Sequence, residues 1–190
     1  MSTSFYMGIV KKVPLEEENV KNFVKVFFNL CNDIEFTKVF SNFTHNNLND
    51  INPDFEFEFK KPPTMNELSN LIKKFASING VTSFPFTADS KSGGFDADFS
   101  IKNTGEVIII EIFFDDYIPE RHGNLEKLLE ICESIYNSVG AFYAYILTEY
   151  DPFILHLDEF KKVFKKYKKT GKSSFDMKKF REKVKERFSY

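Results

Sequence analysis

Apolar positions recur at helical spacing through Val20, Phe23, Val24, Phe27, Phe28 and Cys31, following Pro14 and the acidic run Glu16 to Glu18. This pattern predicts an amphipathic helix with carboxylates at its positive end. A second helical piece is expected over 34–43. The stretch 41–54, rich in Asn and Asp, reads as loop. Beyond it Phe55, Phe57 and Phe59 alternate with Glu56, Glu58 and Lys60, the period of a half-buried strand, which Pro62 and Pro63 end. Thr64 with Glu67 three residues later forms a capping box for a helix bearing Leu68, Leu71, Ile72 and Phe75, with Asn79-Gly80 as its stop.

From there strands are expected over 81–88, 95–102 and 106–114, a helix over 124–139 and a strand over 141–148. The order is αβββαβ. The 106–114 segment is apolar on both faces, as a central strand covered by helices must be. Asn124 is placed to cap the next helix and Gly140 to end it in a left-handed conformation. A short strand over 153–157 leads into two helices, with Thr170 to Ser174 as a joint. The fold class is therefore α/β: an αβββαβ core with a mixed central sheet flanked by helices, preceded by a helical segment and followed by basic helices. The segments 1–60, 61–157 and 158–190 are expected to pack as one compact domain.

Composition supports a sizeable core, since 42% of the 190 residues are hydrophobic. Phenylalanine supplies 24 of them and tryptophan none. Cys31 and Cys132 lie in apolar helical patterns without CxxC spacing and read as buried, reduced thiols. No apolar run approaches the roughly 18 residues of a membrane span, and the N-terminus lacks a secretory layout, so a cytoplasmic protein without a membrane partner is expected. The net charge of −2 conceals a division: residues 160–190 carry 13 Lys and Arg against Asp176, Glu182 and Glu186, leaving +10 there and −12 elsewhere. Lysines at this density suit a polyanion partner. They equally suit the wet faces of two amphipathic helices, Phe160, Val163, Phe164 and Tyr167 in the first and Met177, Phe180, Val184 and Phe188 in the second, or a tail docked on the acidic body.

Candidate chemistry concentrates in FDADFSIKNTGEVIIIEIF, residues 95–113. Asp96 and Asp98 alternate with apolar residues and so share one face of a strand, while Glu111 interrupts an otherwise apolar one. A carboxylate there needs a metal, a cationic partner or a raised pKa. A four-residue loop between the two strands places Asp98 opposite Glu111; a two-residue turn at Asn103-Thr104 places Asp96 opposite Glu111 with Asp98 as its diagonal neighbour. The three histidines have no zinc spacing, and no GxSxG marks a serine hydrolase.

The αβββαβ order, the Asp in its second strand and the Glu late in its third resemble the PD-(D/E)XK nuclease-like superfamily over about residues 65–148. The resemblance implies that Asp98 and Glu111, with Asp96 beside them, bind a divalent metal, Mg²⁺, which activates water and stabilises charge at phosphorus. In that superfamily a Lys stands two positions after the Glu; here that position is Phe113. Some members move the basic group to the following helix, where Lys127 is the candidate. The resemblance thus implies a catalytically impaired nuclease-like protein, and the charge division adds binding of nucleic acid or another polyanion through Lys165, Lys166, Lys168, Lys169 and Lys172. The alternatives are a small immunity-like or antitoxin-like interaction protein using its acidic body to hold a partner protein, and an active Mg²⁺-dependent nuclease.

Overall fold

The computed structural model describes residues 3–30, 32–90, 93–117, 125–148, 151 and 156–188. Its strands are β1 (Thr3–Lys12), β2 (Asn32–Phe36), β3 (Lys38–Asn42), β4 (Phe55–Glu58), β5 (Gly80–Ser90), β6 (Gly93–Asn103), β7 (Val107–Tyr117) and β8 (Tyr143–Thr148). The described helices are α1 (Glu17–Leu30), α2 (Met65–Ala76), α3 (Leu125–Val139), α4 (Leu157–Thr170) and α5 (Met177–Phe188). The class is α/β, and residues 65–148 run αβββαβ as expected.

All eight strands form one sheet in the order β4-β3-β5-β6-β7-β1-β8, with β2 paired to β5 beside β3. Every pairing is antiparallel, which corrects the mixed sheet expected from the sequence. The cause is β1. A helical crossover from β7 through α3 sends β8 back parallel to β7, but β1 inserts between them and pairs antiparallel with both. The first 60 residues hold the expected helix α1 and strand β4, and their strands β1 to β4 all join this sheet. The second helix expected over 34–43 is also corrected, because this stretch forms β2 and β3 along one edge of β5. Ile34 and Phe36 are buried with Val39, a two-residue alternation in β2 that only the long β5 template selects.

Most of the core lies on one face of the sheet. There α1 and α3 cover Met7, Ile9, Phe99, Ile101, Ile110 and Ile112. The abundant phenylalanine finds its physical use here: Phe23, Phe27, Phe36, Phe84 and Phe86 surround Phe99, which stacks on Phe84 at a centroid distance of 4.5 Å. The Thr64–Glu67 capping box is present, with Thr64 N–H donating to Glu67 at 2.8 Å. The helix stops at Ser77, earlier than Asn79-Gly80, and Gly80 instead opens β5. Gly140 ends α3 at φ 62°. The Asn124 cap and residues 153–155 of the expected short strand lie outside the described residues; His156 and Leu157 begin α4. Cys132 is buried, and burial pushes its thiol pKa far up, leaving an inert core thiol; Cys31 lies outside the described residues.

On the other face α4 packs Phe160, Val163, Phe164 and Tyr167 over β8 and β1. Among the described residues no helix packs over β3, β5 and β6 on this side. No described helix is long and apolar enough to cross a membrane.

Candidate acidic and aromatic site on the open sheet face

Two rows of residues cross the sheet on this less covered face. The register aligns Phe40, Ser83, Ser100, Glu111, Gly8 and Tyr145 in one row. The next row holds Pro85, Asp98, Phe113, Tyr6 and Leu147. Asp98 and Glu111 thus share a face as diagonal neighbours, in a register different from both alternatives above. The β6–β7 loop decides it. Asn103 Oδ1 accepts from Gly105 N–H at 2.8 Å, and Thr104 N–H donates to Val107 O at 3.0 Å, so the chain reverses over Thr104 to Val107 and Ser100 falls opposite Glu111. Asp96 pairs with Thr87 in the backbone, one further step from Glu111; its side chain lies outside the described residues.

Both described carboxylates are held by hydroxyl groups. Ser83 Oγ donates to Asp98 Oδ1, and Tyr145 Oη donates to Glu111 Oε2 at 2.6 Å. Tyr145 reaches Glu111 only because Gly8 lies between them: its ring occupies the place where a Cβ on Gly8 would stand. Burial, reinforced by Glu111, pushes the Tyr145 hydroxyl well above its ordinary range and keeps it a donor. His156 stacks on the other side of the Tyr145 ring at 4.1 Å between centroids.

Burial also raises the Asp98 carboxyl pKa, opposed by the Ser83 and Phe84 hydrogen bonds and assisted by the Glu111 charge. The folded state therefore holds the Asp98 proton more tightly than the unfolded chain. The stability that protonated Asp98 contributes is complete below the unfolded pKa and is lost as pH rises through the higher folded value. Asp98→Asn, which stays neutral, is expected to raise Tm at pH 7 relative to the wild type. The gain should vanish near pH 3, and calorimetric scans at the two pH values check it.

Mg²⁺ asks for near-octahedral oxygen coordination, and the side chain of Asp96, the third carboxylate expected to bind it, lies outside the described residues. Each of the two carboxylates already spends an oxygen on a hydroxyl, and among the described residues no three metal-ligating side chains converge. Lys127 is not brought to this face. It sits on α3, whose Leu128 and Leu129 pack against the opposite side of the sheet, and it pairs with Glu130 at 3.9 Å. Phe113 faces the site between Asp98 and Tyr6, its ring 4.5 Å from that of Tyr6.

A groove of about 290 Å³ borders Glu111, floored by Ser100, Lys102 and Ile109 and roofed by Asn46, Asn47 and Asn49. Asp54 pins the start of the roof loop by accepting from Phe43 and Thr44 N–H at 2.7 and 2.9 Å. Sequence reasoning missed Gly8, Ser83, Ser100 and Tyr145. An isolated glycine within an apolar strand-like run was the available signal for close approach at Gly8.

The basic extension divides into two parts. On α5, Arg181 bridges Glu126 and Glu133, Lys185 reaches Glu126, Lys183 reaches Glu159 and Arg187 reaches Asp151, so these cations dock the helix on the body. On α4, Lys165, Lys166 and Lys169 are exposed, Lys168 pairs with Glu106 at 3.5 Å, and Lys172 follows the left-handed Gly171.

Fold and site together define an α/β domain with an antiparallel sheet, a half-open face and no assembled metal centre among the described residues. No protein-family model and no curated protein matches the chain. Among solved structures the Pseudomonas aeruginosa T6SS protein PA0821 is similar at a TM-score of 0.46 and 14% sequence identity, over 85% of this chain. The chain spans 45% of that protein's length.

Proposed function

We propose that this protein is a binding module that holds a basic partner protein against the open half of its sheet, as an immunity-like or antitoxin-like factor does. The observation that carries this reading is the surface around Asp98, Phe113, Tyr6, Pro85 and Asp115. Its aromatic rings are half-buried, and Asp98, Glu111 and Asp115 have no cation within ion-pair distance among the described residues. Aromatic groups offer large apolar contact area, and unpaired carboxylates beside them favour a cationic partner and disfavour others. The tethering of both carboxylates by hydroxyl groups supports binding over hydrolysis, as does Phe at the position of the superfamily's lysine.

The test is capture from a lysate of the source cells on the immobilised full chain, with Thr87→Arg/Asp115→Arg and Lys161→Gln/Lys165→Gln/Lys169→Gln as parallel baits. Thr87 and Asp115 are exposed residues of this face. A protein of high isoelectric point retained by the wild type and the glutamine variant, and absent from the arginine variant, is the expected result. Retention of the same proteins by all three baits, or of no basic protein at all, contradicts the proposal.

A further inference from the structure

A separate surface lies on the outer side of α4. At 3.6 residues per turn Lys161, Lys162, Lys165, Lys166 and Lys169 fall within roughly two fifths of the helix circumference. All five are exposed, and none has an acid within ion-pair distance among the described residues. The contrast with α5 is informative, since four of that helix's cations are engaged by the body. We propose that the α4 lysine face binds the phosphate backbone of duplex nucleic acid without reading its sequence.

Three features select this ligand. The apolar side chains of α4 are committed to β8 and β1, where Phe164 and Tyr167 stack on Phe142 at 5.4 and 4.6 Å, so no apolar stripe remains to enter a lipid surface. The lysine face carries no aromatic ring or arginine on which an unpaired base could stack, which disfavours single strands. Lysine acts as a compact point charge toward phosphate and lacks the planar fork of arginine, and contacts to phosphate position a protein without carrying sequence information. From Lys161 to Lys169 the row is about 12 Å long at 1.5 Å per residue, enough to follow several phosphates.

Fluorescence anisotropy with a labelled 20-base-pair DNA duplex, its single strand, and sedimentation with phosphatidylserine-containing vesicles test this on the full chain. The duplex is expected to bind with Kd about 10⁻⁴–10⁻⁶ M at physiological salt, with a log–log salt slope of about −4.5 for five phosphate contacts. Lys161→Gln/Lys165→Gln/Lys169→Gln should reduce the magnitude of that slope by about 2.7. Lys178→Gln/Lys179→Gln, on exposed positions of α5, should leave it unchanged. Circular dichroism keeps loss of binding distinct from loss of fold. Equal binding by the α4 variant and the wild type overturns the proposal, as does absent duplex binding or tighter binding to the single strand or the vesicles.

Discussion

Phe99→Ala is expected to cost about 3–5 kcal/mol and to leave little or no folded protein at 37 °C. Phe99 is fully buried, and its ring touches five others, Phe23, Phe27, Phe36, Phe84 and Phe86. These rings come from α1, β2 and β5, so removing the β6 ring opens a cavity shared by helix and sheet. Each edge-to-face or offset contact adds roughly 0.5–1.5 kcal/mol beyond its area, and no small movement of one neighbour can fill the space. Urea denaturation measures the loss; a cost below about 1.5 kcal/mol would mean that the cluster repacks. Phe99→Leu should cost distinctly less, because it keeps most of the volume.

The second large effect is expected at Gly8, where alanine should destabilise by about 3 kcal/mol or more. Its backbone angle is unexceptional, so the cost is steric: the added carbon needs the volume of the Tyr145 ring. If the ring moves, Tyr145 loses Glu111 as acceptor and leaves a buried hydroxyl to satisfy, which itself costs about 1–3 kcal/mol. A double-mutant cycle isolates the mechanism. Gly8→Ala in a Tyr145→Ala background should be milder than in the wild type by at least about 1 kcal/mol, and strict additivity would refute the clash.

These two positions also illustrate what was legible in the sequence. The α1 stripe, the Thr64–Glu67 box, the alternation of β6 and the Gly140 stop are local patterns, and each lies where local physics puts it. That Asp98 and Glu111 share a face was likewise readable, since alternation sets the face of a strand. Their register was not, because it depends on how Asn103 and Thr104 close the loop. Strand β1 was missed although Phe5, Met7 and Ile9 alternate on one face, because Tyr6, Gly8 and Val10 between them are not the charged or strongly polar residues that mark a half-exposed strand. Strands β2 and β3 were mistaken for helix because five-residue segments carry too few positions to separate the two periods; pairing with β5, far along the chain, decides. Tyr145 joins the site across β1, so no pattern within β8 could have announced it.

The measurement closest to the central claim is a calorimetric titration of the captured basic partner into the wild type and into Thr87→Arg/Asp115→Arg at equal ionic strength. Placing two cations on the open sheet face should weaken the Kd by at least about 100-fold, since like charges opposed at an interface cost several kcal/mol. Affinity within about threefold of the wild type would contradict the assignment of this face as the binding surface.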